Sequence, residues 1–272
     1  MVVHWSRPQG ACMTPGRTAP LGKAPMAQSF ETADWHSYKM SYGEPHRELE
    51  PLDSEIAVVN AALAALHEAG ILPHTRYDHA KMLAHRCAVA EQFEIPWTAI
   101  TPRMQRLLYA INAIAQPANL IAAGVFCGNT FISNAGAAVG PGACYTARNL
   151  LGVEIKPHEA ERAERNVRKL DPTGIARVVA ADAVDVCRTF PEPIHLLYLD
   201  ADGGPQVGKG IYLTILQAAL DKLPPGALVL AHNSVNGAGR LQPYFAFVRD
   251  KANFTESVNV IFDGEGLEVS VR

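Results

Sequence analysis

From Pro117 onward, short apolar runs alternate with longer amphipathic stretches, and this alternation limits the chain to few architectures. The runs NLIAAGV, LLGVEI, RVVAAD, IHLLYLD and ALVLAH are separated by a Gly/Ala-rich stretch, by PHEAERAERNVRKL and by IYLTILQAALDKL. Short strands that are apolar on both sides need cover on both faces, which a parallel sheet with helical crossovers provides. The C-terminal runs FTESVNVIF and LEVSVR flank the turn DGEG, so the sheet is expected to end in an antiparallel hairpin. The expected fold class is α/β, a Rossmann-like doubly wound sheet of seven strands with this reversed pair at its end and helices added in front.

Ahead of that region lie two other textures. Residues 1–50 hold five prolines and no apolar periodicity, and are expected to form an irregular or partly disordered arm. Trp35, His36, Tyr38 and Tyr42 make this arm either a lid over a site or a surface attachment. Residues 51–116 read as helices: one after the candidate N-cap Ser54 and stopping at Gly70, one over YDHAKMLAHRCAVAEQFE, and one starting at Thr101-Pro102. Residues 117–272 then form the sheet domain. The stripe Ile56, Val59, Leu63 and Leu66 faces either the chain's own body or a second copy in a homodimer.

Composition narrows the partners. With 48% hydrophobic and 19% charged residues, the chain can build a core and is not wholly disordered. A net charge of −3 with no basic cluster argues against nucleic acid or an anionic membrane as partner, and no apolar run is long enough to cross a bilayer. Without the apolar core of a signal peptide at the N-terminus, a cytoplasmic location is expected. Cys12, Cys87, Cys127, Cys144 and Cys187 are odd in number and scattered, which points to buried free thiols.

In a doubly wound sheet, ligands bind beyond the carboxyl ends of the strands, where strand order reverses. The first strand runs into Gly124-Val125-Phe126-Cys127-Gly128-Asn129-Thr130, whose glycines allow close backbone approach and whose following helix offers N–H donors. Tight strand-to-helix turns use glycine too. The second strand ends at Glu154, placed to accept both hydroxyls of a ribose. The third ends at Asp182, which serves either the amine of a base or the N-cap of its own helix. The fourth ends in Leu199-Asp200-Ala201-Asp202-Gly203-Gly204.

These residues resemble the class I S-adenosylmethionine (SAM) dependent methyltransferases, in particular the catechol O-methyltransferase-like group. The resemblance covers roughly residues 98–272. Its carriers are Trp97-Thr98-Ala99-Ile100-Thr101-Pro102, the Gly124–Thr130 loop, Gly152-Val153-Glu154-Ile155, Ala181-Asp182-Ala183, Leu197-Tyr198-Leu199-Asp200, Leu223-Pro224-Pro225-Gly226-Ala227 and Asp263-Gly264-Glu265-Gly266. It implies SAM as cofactor, with Glu154 on the ribose, Asp182 and Ala183 at the adenine, and the Gly124–Gly128 loop beside the methionine moiety. Gly124, Phe126, Gly128, Asn129, Thr130 and Asp200 complete the implied cofactor-binding set.

The departures from that pattern concern the reaction. Ala122 stands where the group has an acidic residue. The Asp, Asp and Asn that hold a divalent metal in the group match Asp200, His232 and Asn233. Imidazole in place of a hard carboxylate disfavours Mg²⁺, so a metal requirement is not expected. The lysine that follows the first metal ligand by three residues would fall at Gly203.

Three functions remain open on this reading. The first is O- or N-methyl transfer to a small biosynthetic substrate, with His232 as general base and Asn233 and Asp202 orienting the acceptor. The second is cyclisation of SAM itself to azetidine-2-carboxylate and methylthioadenosine, with Phe126, Tyr38 or Tyr42 stabilising the sulfonium by cation–π contact. The third is a SAM-binding scaffold without catalysis.

Overall fold

The computed structural model describes residues 28–95 and 100–272. In chain order these form β1 (Gln28–Glu31), α1 (Leu52–Glu68), α2 (His79–Gln92), α3 (Pro102–Ala115), β2 (Asn119–Ala123), α4 (Asn129–Ala135), β3 (Asn149–Glu154), α5 (Pro157–Leu170) and β4 (Ala176–Ala180). There follow α6 (Ala183–Thr189), β5 (Leu196–Leu199), α7 (Gly204–Val207), α8 (Ile211–Ala219), β6 (Leu228–His232), α9 (Ala238–Val248), β7 (Glu256–Ile261) and β8 (Leu267–Val271). The segment Trp97-Thr98-Ala99, one carrier of the resemblance, lies outside the described residues.

The strands make one sheet in the order β1-β7-β8-β6-β5-β2-β3-β4. Pairing is parallel except where β8 runs antiparallel between β6 and β7. Strand order reverses between β2, which pairs on one side with β3 and on the other with β5. That reversal sets the crevice where crossover loops diverge.

Alternation along each strand sorts the core into two layers, because successive side chains point to opposite faces. Leu120, Ala122, Leu150, Tyr198 and Leu230 pack with Leu63, Leu107, Ile111 and Phe131 on one face. Ile121, Ala123, Leu151, Leu199 and Val229 pack with Tyr212, Leu216, Leu241 and Tyr244 on the other. Each fully buried aliphatic side chain contributes on the order of 1.5–3 kcal/mol, so the helices are held chiefly by these layers. Val59, Leu63 and Leu66 of the α1 stripe are among them, and α1 packs on α3. That face is therefore spent inside the chain.

Several expectations are corrected. The sheet has eight strands rather than seven, because Gln28–Glu31, inside the segment read as irregular, pairs with β7 in the register Gln28↔Val258 to Glu31↔Ile261. The segment after it is also tied down. Buried Arg103, in the first turn of α3, grips the carboxylates of Asp34 and Glu50 at 2.7–3.0 Å and covers the ring of buried Tyr38 at 3.8 Å. Residues 1–27 lie outside the described residues.

Ser54 does not cap α1. Pro51 takes the N-cap position without a side-chain cap, and Ser54 sits in the first turn, while Glu55 turns inward to Arg86 and Arg106. Asp78 and Thr101 do cap α2 and α3. Of the described cysteines, all free, Cys127 and Cys187 are buried, whereas Cys87 is exposed and Cys144 partly so. Among the described residues no helix is long and apolar enough to cross a membrane.

Candidate active site

The β2–α4 loop is built on left-handed backbone. Gly124 has φ +78° and Gly128 φ +91°, and between them Phe126 holds φ +48°, which a side chain seldom adopts. At Gly124 the reason is contact as well as conformation: an added Cβ would stand 2.4 Å from the Cα of Ala201, on the loop leaving β5. The turn aims the Phe126 N–H at Glu154, whose Oε2 accepts it at 3.0 Å; Glu154 Oε1 accepts the Lys156 N–H, also at 3.0 Å. Glu154 is thus buried, with each carboxylate oxygen accepting one backbone N–H and retaining capacity for a further bond. Asn129 and Thr130 open α4 and are buried, and neither polar atom of the Asn129 amide has a partner within the protein.

Two of the anticipated acids are occupied locally. Asp182 accepts from Val184 N–H at 2.7 Å and caps α6, beginning at Ala183, with its second oxygen unspent. Asp202 is exposed and accepts from Gly204 N–H at 2.7 Å, shaping the turn into α7. The structure brings neither into contact with His232.

At the ends of β5 and β6 four charged side chains form a chain. Lys209 Nζ lies 2.8 Å from Asp200 Oδ1, His232 Nδ1 lies 3.3 Å from Asp200 Oδ2, and His232 Nε2 lies 2.9 Å from Glu265 Oε2. The ring nitrogens of His232 meet neither carboxylate along a good hydrogen-bond direction, so these contacts are ion pairs more than aligned hydrogen bonds. Tyr198 stacks beneath the imidazole at 6.3 Å.

Burial alone would push His232 down, but the carboxylates of Asp200 and Glu265 outweigh it and raise its pKa to about 10. Burial likewise works against the charge on Asp200, and His232 and Lys209 overcome it, holding that carboxyl below its ordinary value. The site therefore carries an imidazolium and an ammonium on a carboxylate. Asn233 follows in left-handed backbone (φ +60°), with its carbonyl accepting Gly237 N–H at 2.8 Å.

The Asp-Asp-Asn metal site of the resembling group can be tested on these donors. Asp200 is the carboxylate left among the three matching positions, and both its oxygens face cationic side chains. Imidazole at the second position takes the place of a hard carboxylate, which disfavours Mg²⁺. Among the described residues no three His, Cys, Asp or Glu side chains converge as a metal site. This donor set does not match the hard-cation site of that group.

Sequence reading missed Lys209 and the role of Glu265. Lys209 comes from a glycine-rich linker without periodicity. Glu265 comes from the hairpin tip, which is fixed by Asp263: its Oδ1 accepts the N–H groups of Glu265 and Gly266, and its Oδ2 accepts the Thr101 hydroxyl at 2.6 Å. A separate cavity of about 360 Å³ lies at the N-terminal segment, lined by Tyr38, His46, Glu50, Arg86, Cys87 and Gln105, and shares no residue with this cluster.

Comparison with known proteins gives a partial family match and likenesses of fold. A family model described as a methyltransferase domain matches residues 121–234, from β2 to just beyond β6. Among solved structures, the O-methyltransferase from Bacillus cereus in complex with SAH is 14% identical, with TM-score 0.53, covering 80% of this chain and 100% of its own. Cofactor-bound Rv0187 from MTB is 20% identical, with TM-score 0.52, covering 83% and 98%. The SAH-bound methyltransferase PaMTH1 from Podospora anserina is 12% identical, with TM-score 0.51, covering 83% and 99%. At such identities the likeness concerns the fold. No curated protein matches the chain. Residues 121–234 thus match a methyltransferase domain, and the α/β sheet of the chain is similar in fold to these solved methyltransferases.

Proposed function

We propose that this protein binds SAM across the crevice between β2 and β5 and transfers its methyl group to an ionised oxygen of a small molecule, without a divalent metal. The observation that carries the reading is Glu154, whose two oxygens are held by backbone N–H groups so that their free lone pairs meet the vicinal hydroxyls of the SAM ribose. The Gly124–Gly128 loop lies beside the methionine moiety, and the unspent amide of Asn129 serves its polar end. The second oxygen of Asp182 takes the adenine amine.

His232 changes role in this reading. A group protonated at neutral pH is no acceptor for a proton, so His232 orients the site as a fixed cation rather than acting as base. The acceptor then enters already ionised, as a phenolate, enolate or carboxylate. Its oxygen attacks the methyl carbon in line with the departing sulfur, forming the O–CH₃ bond as S–CH₃ breaks and leaving S-adenosylhomocysteine (SAH).

Calorimetry with SAM and SAH tests the binding. Glu154→Gln removes the charge from one or two hydrogen bonds worth about 1.5–3 kcal/mol each, so SAM affinity should fall at least about tenfold. Unchanged affinity would sink the assignment. Mass spectrometry of the protein with SAM and a panel of phenols and enols should then show SAH and a methyl ether. Methylthioadenosine from SAM alone would establish cyclisation instead.

A further inference from the structure

The reaction site carries its own cation. We propose that Lys209 takes the place of a divalent ion on Asp200 and that its remaining N–H holds the ionised acceptor oxygen; the inference rests on the methyl-transfer reading above. An ammonium has three N–H donors. Lys209 spends two on Asp200, at 2.8 Å to Oδ1 and 3.0 Å to the main-chain carbonyl, and one is left. The other carboxylate oxygen faces His232 Nδ1 at 3.3 Å, so neither oxygen of Asp200 is left without a side-chain neighbour.

The position of Lys209 is built rather than incidental. Gly203 N–H closes its loop on the Gly208 carbonyl at 2.9 Å, and Gly208 supplies φ +53° just before the lysine. The lysine stem runs so close to Gly237 that an added Cβ there would lie 3.2 Å from Lys209 Cγ, and the ammonium stands 5.5 Å from the ring centre of Tyr212. Most of the side chain is covered, yet about a fifth remains exposed.

The sulfonium of SAM brings one positive charge and an ionised oxygen one negative, so loading both leaves the charge of the site unchanged. A compact ammonium suits a single oxygen, whereas a guanidinium fork suits a paired one.

Electron paramagnetic resonance with Mn²⁺ as probe, run on the full chain with SAM, tests the substitution directly. The wild type should bind no Mn²⁺ at the site. The double variant Lys209→Ala/His232→Asp, which removes both cations and restores a second carboxylate, should bind one ion per chain. Lys209→Met should keep SAM affinity within about threefold by calorimetry, while methyl transfer falls by at least about 10²-fold, the usual cost of a lost charge-stabilising donor. Lys209→Arg should recover part of that loss, and a chelator should not affect the wild type. Site-bound Mn²⁺ in the wild type, full turnover in Lys209→Met, or a double variant that binds SAM but no Mn²⁺ would each overturn the proposal. Absence of SAM binding in the wild type would instead overturn the methyl-transfer reading, and the Mn²⁺ comparison would still report on Lys209.

Discussion

Two buried histidines are perturbed in opposite directions, and together they set the pH limits of stability. His85 is walled in by Gly136, where an added Cβ would lie 2.5 Å from its Nδ1, and stacks on Tyr109. Burial lowers its pKa to about 4, so it is neutral in the folded protein. Its contribution is fully present above the ordinary value near 6.5 and is lost as the pH falls toward 4. His232, raised to about 10, behaves in reverse: its contribution is fully present below about 6.5 and is lost as the pH rises toward 10. Urea titrations across pH should therefore give a stability curve falling on both sides, each limb approaching about 1.4 kcal/mol per pH unit. His85→Leu should flatten the acid limb alone and His232→Gln the alkaline limb alone. Glu154, Asp200 and His232 were legible in the sequence because each ends an apolar run, and the sheet turns such residues toward one edge. Lys209 and Glu265 were not, because the linker and hairpin tip that carry them have no periodicity and reach the site only through tertiary folding.

Elements were legible where their burial pattern is long. α5 occupies the stretch read for it, β6 falls inside its apolar run, and β3 is offset from its run by one residue toward the N-terminus. β1 escaped notice because only Phe30 of its four residues is even partly buried, so the strand exists by pairing with β7 rather than by its own apolar face. α9 was not anticipated either, with Pro243 inside it. The β2–α4 loop gives a test at this scale. Gly124→Ala sets a Cβ against the Ala201 backbone at a φ that disfavours it, and should cost roughly 2–4 kcal/mol in denaturant titration. Gly128→Ala should cost less, because its nearest neighbour stands at 3.3 Å. At the start of α3, Arg103→Met leaves the carboxylate of Glu50 largely buried without its partner. A loss of roughly 3 kcal/mol is expected, with faster proteolysis between residues 32 and 50.

At the scale of the molecule, both halves of the proposed site depend on the reversal between β2 and β5. The β2–α4 loop and Glu154 come from one side of it, the Asp200 cluster from the other, and Gly124 is where the two touch. Strand order also has a temporal side. Among the described strands β1 is made before the others, and its partner β7 comes some 230 residues later in the chain and pairs in turn with β8. During synthesis β1 must wait unpaired, and the nascent protein is most exposed to wrong partners in the interval before β7 and β8 emerge.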